Sequence, residues 1–301
     1  MANMRPYYKL IRPKQWIKNL FVAAPLVFSK ELFDAGAFLL TLTAMIGFCL
    51  TASAVYIIND ITDVEADRAH PEKRTRPLAA GTISPGKARL LSVGFLVATA
   101  LLVIEMDLRY VVILAVYFLM NLAYSIKLKE IVLLDVFMIA GGFMLRVLAG
   151  AYAIDVRVSS WIVLCTLFIS LFLGFAKRRG ELILSQQSGS GPERKVLLLY
   201  RVAFIDQMLT IAAAGTVISY ALYTVAPRTI EVFGTEKMIY TTVFVIYGIF
   251  RYLYLIHMTN STENPTTAVT SDAPIIVTVL LWIVACVTLI YSGGQIPYIS
   301  K

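Results

Sequence analysis

Where one of the chain's long apolar runs gives out, it reads Asn59-Asp60-Ile61-Thr62-Asp63-Val64-Glu65-Ala66-Asp67. If a single helix carries this stretch, Asp60, Asp63 and Asp67 fall within an arc of roughly 60°, with Asn59 beside them. Three carboxylates on one face repel one another unless a cation sits among them. Hard oxygen donors in that number suit Mg²⁺ bridged to a phosphate-bearing ligand. A metal so held neutralises charge building on a departing pyrophosphate. Asp60, Asp63 and Asp67 are therefore the candidate catalytic residues and, with Asn59, the candidate Mg²⁺ ligands. The competing reading is a solvated acidic loop. It is the weaker one, because the acids begin at the end of an apolar span, where uncompensated carboxylates are expensive.

Directly after comes His70-Pro71-Glu72-Lys73-Arg74-Thr75-Arg76-Pro77-Leu78-Ala79-Ala80-Gly81. Cations beside a carboxylate–metal cluster form a clamp for the remaining phosphate oxygens, which makes Lys73, Arg74 and Arg76 candidate substrate ligands. His70 reads as structural. A second basic group, Lys177-Arg178-Arg179-Gly180-Glu181, supplies cations that bind a phosphate directly. A third set begins at Tyr124 and runs through Lys127 and Lys129 to Asp135, with Arg146 eleven residues further on. Asp135 and Arg146 share a face within about 20° but lie some 16 Å apart along a helix, so each needs its own partner. Ionisable groups inside a membrane are functional candidates by default, although a structural ion pair explains either one equally well. For the basic groups, the competing reading is charge set by membrane topology alone. No P-loop and no nucleophile–base pairing with diagnostic spacing is present.

The elements that must position these residues are membrane spans. The chain has 301 residues, of which 58% are hydrophobic and 15% charged, more apolar surface than a soluble core of this size needs. Apolar runs long enough to cross a bilayer recur near 17–33, 36–58, 88–104, 110–126, 131–153, 159–176, 203–226, 238–257 and 275–293. They lack the alternation of barrel strands, so the expected fold is all-α: a polytopic helical bundle of about nine transmembrane helices. With the N-terminus inside, 20 of the 27 Lys and Arg residues fall on the inner side and 6 on the outer, with Arg146 within a span. This satisfies the positive-inside rule and predicts an N-in/C-out topology.

The net charge of +8 follows from that asymmetry and from anionic headgroups, and needs no nucleic acid. Cys49, Cys165 and Cys286 all fall in expected spans, which predicts buried thiols and neither disulfide framework nor zinc site. The polar Met1–Lys9 stretch argues against a cleavable signal peptide. Residues 1–301 read as a single transmembrane domain whose inner loops, 59–87, 127–130, 177–202 and 258–274, form the active-site side. Ser185–Pro192 reads as a flexible piece of one of them. Asp272 reads as the cap of the last span.

The N-D-x-x-D-x-x-x-D pattern at Asn59–Asp67 and the K-R-x-R-P-L-A-A-G run at Lys73–Gly81 resemble the UbiA superfamily of intramembrane prenyltransferases. The resemblance implies a helical bundle whose cavity opens toward the cytosol and sideways to lipid. It also implies two acidic motifs that bind a polyprenyl diphosphate through Mg²⁺, the second on the inner loop after the sixth span. This chain departs there, because no D-x-x-x-D occurs in 177–201 and three cations stand in its place. The departure, the His-Pro before the Lys-Arg run, the Lys-Arg-Arg-x-Glu group and the opening Arg12-Pro13-Lys14-Gln15-Trp16-Ile17-Lys18-Asn19 resemble the decaprenyl-phosphate phosphoribosyltransferase branch. Lys14 and Lys18 join the substrate-binding candidates on that ground.

What that branch implies is Mg²⁺-dependent transfer of 5-phosphoribose from phosphoribosyl pyrophosphate to a polyprenyl phosphate, for cell-envelope glycolipid precursors, on the cytosolic side of a bacterial-type cytoplasmic membrane. Prenyl transfer from a polyprenyl diphosphate to an aromatic or other small acceptor is the alternative. A lipid transporter is a second alternative, weakened because the polar cluster lies at the membrane surface and not at the midplane. Lipid chain length, assembly as a homo-oligomer and the assignment of each basic cluster to a phosphate stay open.

Overall fold

The computed structural model describes residues 4–69, 73–188, 195–258 and 271–292. Among them every regular element is helical. Eight helices are long and apolar enough to cross a membrane. We label them α1 (Ala35–Thr62), α2 (Pro85–Leu102), α3 (Leu108–Ile126), α4 (Leu134–Ala153), α5 (Ser160–Ser188), α6 (Val202–Val225), α7 (Thr242–Met258, led in by a 3₁₀ turn at Lys237–Thr241) and α8 (Ala273–Ser292). They start where the chemistry provides caps: Asp34 accepts from Ala37 N, Ser84 from Lys87 N ahead of Pro85, Asp107 from Arg109 N and Asp272 from Ile275 N. The capping role expected of Asp272 is observed, and the Arg251 guanidinium beside it holds its carboxyl below the usual range.

Three expectations are corrected. Residues 17–33 do not form a long helix: an eleven-residue 3₁₀ helix, Pro13–Ala23, runs into a short α-helix, Ala24–Phe28. Pro13 and Pro25 each withhold an amide donor, and Lys14, Gln15, Lys18 and Asn19 interrupt the apolar run. Among the described residues eight helices therefore have the length and hydropathy of a membrane span. Second, α5 continues twelve residues past the expected boundary at 176, so Lys177, Arg178, Arg179 and Glu181 stand on a helix and not in a loop. Leu182 keeps the apolar face going, and Glu181 pairs with Lys177 and Arg178 at helical spacing. Third, the helix bearing the acidic run breaks at Asp63 and restarts as Val64–Ala69. The bonds Asp63 N to Asn59 O (2.9 Å) and Asp67 N to Asp63 O (2.8 Å) carry the register across the break.

The chain divides into two compact units. The first comprises 1–26, 31–127 and 145–157. Its centre is α1, whose most apolar window is 56% buried, against 17% for α2 and α3. α1 is thus the core helix here, while its neighbours turn Leu90, Leu101, Leu108 and Leu119 outward, an apolar surface that lipid solvates. Tyr110 OH donates to Ala44 O and Ser92 Oγ to Ala54 O, tying α3 and α2 to it. The 3₁₀ helix lies against α1 through Trp16 Nε1, which donates to Ser53 Oγ, itself bonded to Ile11 O. Gly150 of α4 meets the same segment, where a Cβ would run into the Val22 carbonyl.

The second unit comprises 27–30, 128–144 and 158–301. Its main pair is α5 and α6, with α7 and α8 added, around a core that includes Val136, Phe172, Ile205, Leu209 and Tyr252. The Tyr220 hydroxyl joins Thr241, Trp282 and Cys286 in a buried polar knot. Cys49 and Cys286 are buried free thiols, and Cys165 is half-buried and free.

Candidate active site

At the end of α1, Asp60 is almost fully buried, and so is Asp67 on the short helix beyond it. One guanidinium joins them: Arg76 Nη1 lies 3.3 Å from Asp60 Oδ1 and 2.7 Å from Asp67 Oδ2. Arg12, in a left-handed conformation (φ 56°) between the first short helix and the 3₁₀ segment, brings Nη2 to 2.5 Å from Asp60 Oδ1. The same guanidinium lies over the Tyr56 ring. Asp63 and Asn59 are half-buried, and Asn59 Oδ1 lies 2.5 Å from Ser125 Oγ at the end of α3. Arg76 therefore brings Asp60 and Asp67 together. Lys73 and Arg74 stand on the 3₁₀ turn Lys73–Thr75 just before Arg76, Arg74 exposed and Lys73 half-buried. Lys14 is exposed and Lys18 half-buried on the Pro13–Ala23 segment. Tyr124 is half-buried and Lys127 exposed at the end of α3. His70 lies outside the described residues, as do 189–192, while 185–188, expected in a flexible loop, form the end of α5.

Whether this cluster suits Mg²⁺ is decided by its donors. Asp60, Asp63, Asp67 and Asn59 offer the hard oxygens that ion takes. Two of the carboxylates already converge on one cationic nitrogen, so a guanidinium fills the part of the cation they require. Among the described residues no three acidic, His or Cys side chains stand close enough to hold a metal ion. The donor set fits Mg²⁺, and its present spacing is closed around Arg76.

Arg146 belongs to the same unit and is buried among α1, α3 and the 3₁₀ segment. Its Nε donates to Asn19 Oδ1 (2.7 Å) and its Nη2 to Tyr117 OH (2.9 Å), and it lies over the Tyr117 and Phe48 rings. Desolvated cation–π contacts are worth about 2 kcal/mol. Asn19 also donates to Cys49 Sγ. Neither Asn19 nor Tyr117 was singled out from sequence; the available signal was a polar group inside an apolar run.

In the second unit, Arg178 and Asp135 are both wholly buried and paired, Nε to Oδ2, at 2.5 Å. Glu181 takes Arg178 Nη1 at 2.7 Å. Tyr200, which sequence reasoning missed, donates its hydroxyl to Asp135 Oδ1 (2.8 Å) and accepts from Leu133 N (2.7 Å). Burial pushes the Tyr200 phenol above its usual range, so the hydroxyl keeps the proton it donates. Arg179 pairs with Asp206 at 2.7 Å and donates to Ile256 O, and His257 Nε2 lies 3.3 Å from the same Asp206. Lys177 is half-buried and Lys129 lies on the 3₁₀ turn Leu128–Glu130. Asp135 and Arg146, expected to have separate partners, do have them.

A family model described as the UbiA prenyltransferase family matches residues 20–180. Over 221 residues, 71% of this chain and 69% of the relative, the sequence is 41% identical to decaprenyl-phosphate phosphoribosyltransferase of Mycolicibacterium smegmatis. The protein of the same name from Mycobacterium tuberculosis is 35% identical over 219 residues, 71% of this chain and 72% of that one. Among solved structures, a UbiA homologue from Archaeoglobus fulgidus bound to GPP and Mg²⁺ superposes with a TM-score of 0.71 at 16% identity, covering 97% of this chain and 100% of that one. The same homologue bound to DMAPP and Mg²⁺ gives 0.73 at 18% identity, over 95% and 99%. At these identities the structural likeness is one of fold.

Proposed function

This chain belongs to the UbiA prenyltransferase family, and from that premise we propose that it transfers 5-phosphoribose from phosphoribosyl pyrophosphate to a polyprenyl (decaprenyl) phosphate, releasing pyrophosphate. The observation that carries this reading is an asymmetry of charge. The end of α1 holds a buried acidic cluster with arginines on it. The far end of α5, where a prenyl-diphosphate enzyme of this family has its second acidic motif, holds Lys177, Arg178 and Arg179. One acidic cluster serves one pyrophosphate.

In this reading Asp60, Asp63 and Asp67, with Asn59, hold Mg²⁺, which supplies charge neutralisation for the leaving pyrophosphate. Arg76 and Arg12 pair with the buried carboxylates of Asp60 and Asp67. Lys73, Arg74 and Arg76, together with Lys127, take the phosphate oxygens left over. The lipid phosphate oxygen attacks C1 of the ribose, the new C1–O bond forms, and the bond from C1 to the pyrophosphate oxygen breaks. The nucleophile is already anionic at neutral pH, so no general base is needed. The residues contribute orientation and electrostatic stabilisation, with inversion at C1. The reading also places the N-terminus and the acidic cluster on the cytosolic side of a bacterial-type membrane, supported by the inner-side excess of Lys and Arg.

Incubating membranes containing the protein with Mg²⁺, labelled phosphoribosyl pyrophosphate and polyprenyl phosphate, then extracting with organic solvent, tests it. Label is expected in the organic phase, and Asp63→Ala is expected to keep it in the aqueous one. Label left in water by folded wild-type protein overturns the reading. Transfer from labelled polyprenyl diphosphate to an aromatic acceptor, in its place, selects the prenyltransferase alternative.

A further inference from the structure

Within the first unit, two buried acids share a cation that is not itself buried. The side chains of Asp60 and Asp67 are 3% and 6% exposed, whereas that of Arg76, which bridges them, is 30% exposed. Arg76 Nη1 faces both carboxylates, at 2.7 Å from Asp67 Oδ2 and 3.3 Å from Asp60 Oδ1. Asp60 Oδ1 is held a second time by Arg12, whose guanidinium also lies over the Tyr56 ring. The backbone that carries Arg76 is fixed. Its amide donates to Lys73 O (2.9 Å) and its carbonyl accepts from Ala80 N (2.8 Å). Leu78 and Ile83 just beyond it are packed with Leu10 and Ile57. Arg76 can therefore leave the acids by turning its own long, partly exposed side chain, with the loop unmoved.

A guanidinium and a divalent ion cannot both use these oxygens. A metal ion arriving alone would take both partners from Arg76, and an ion stripped of its partner is far more costly than a pair. Pyrophosphate removes that cost, because its oxygens offer the guanidinium a bidentate replacement. We propose that Arg76 is an exchangeable counter-cation: it holds Asp60 and Asp67 in the metal-free chain and moves to pyrophosphate oxygens when metal and pyrophosphate enter. Metal and pyrophosphate then bind as a coupled pair, each raising the other's affinity by the same factor. This rests on the Mg²⁺–pyrophosphate half of the phosphoribosyl-transfer reading. It adds to that reading an order of events, in which the carboxylates become metal ligands only as Arg76 gains its new anion.

The full chain in lipid nanodiscs is titrated with Mn²⁺, a paramagnetic substitute for Mg²⁺ followed by electron paramagnetic resonance, and separately with preformed Mn²⁺–pyrophosphate. Arg76→Met removes the charge and keeps much of the side chain's length. Mn²⁺ alone is expected to bind this variant about tenfold more tightly than wild type, and Mn²⁺–pyrophosphate about tenfold more weakly. The opposite signs are the signature. A residue that only binds phosphate leaves the affinity for Mn²⁺ alone unchanged, and one that only supports the fold weakens both; either result overturns the proposal. Where Arg76→Met does not fold, Arg76→Lys, which keeps the charge and loses the planar fork, is expected to shift both affinities with the same signs. Unchanged affinities in that variant overturn the proposal as well. If the shifts appear but wild-type protein transfers no label, the exchange stands and the transfer reading fails. If wild type binds neither Mn²⁺ nor Mn²⁺–pyrophosphate, both fail.

Discussion

Arg178 and Asp135 are each shielded completely from solvent, and each is the reason the other can be there. An isolated charge at that depth is far more costly than a pair, yet a pair is worth little more than well-packed apolar side chains of the same volume. Arg178→Met alone, or Asp135→Leu alone, is therefore expected to cost about 3–5 kcal/mol, and the two together far less than the sum. Unfolding in detergent, followed for the four members of the cycle, measures this; additive costs would refute the pairing as the source of the effect. At this scale the sequence was informative about residue types and poor on partners. The Asp60–Asp67 run and Arg76 are sixteen residues apart or fewer and could be read together, whereas Arg12 reaches Asp60 across 48 positions and Tyr200 reaches Asp135 across 65. Nothing in a local pattern reports such pairings. Arg178, read as a candidate phosphate ligand because it lay in a basic group, is paired with carboxylates on its own helix and on α4.

Helices were the most legible level, because hydropathy acts over some twenty residues and averages out local ambiguity. Seven of the eight long helices begin and end close to the expected positions. The eighth, α5, overran its expected end because ion pairs at helical spacing, and not lipid, sustain its last turns. The stretch at 17–33 is not one long α-helix for the opposite reason, being interrupted by proline and polar residues. Its fit against α4 depends on Gly150, whose missing side chain admits the Val22 carbonyl. Gly150→Ala is expected to destabilise the first unit by about 1–3 kcal/mol, the usual cost of overpacking, in spite of alanine's better helix propensity. A lowered unfolding midpoint checks it, and an unchanged or raised one would mean the segment is free to move away.

For the whole molecule, the all-helical class and membrane character were readable from composition and the length of the apolar runs, and membership of the family from two short motifs. The division into two compact units was not, since α4 contributes to both and no break in composition marks the boundary. The expected topology turns on a single odd element. A 3₁₀ helix climbs about 2.0 Å per residue against about 1.5 Å for an α-helix. The eleven residues wound that way, with the five α-helical ones after them, consequently stretch roughly 30 Å, the thickness of a hydrocarbon layer. A crossing made by those sixteen residues would bring the count to the nine expected from the sequence, with the N-terminus inside and the C-terminus outside. Cysteines placed at Tyr8 and Glu31 should then react with an impermeant thiol reagent from opposite sides of sealed vesicles; reaction from one side alone would reduce that stretch to a hairpin lying in a single leaflet.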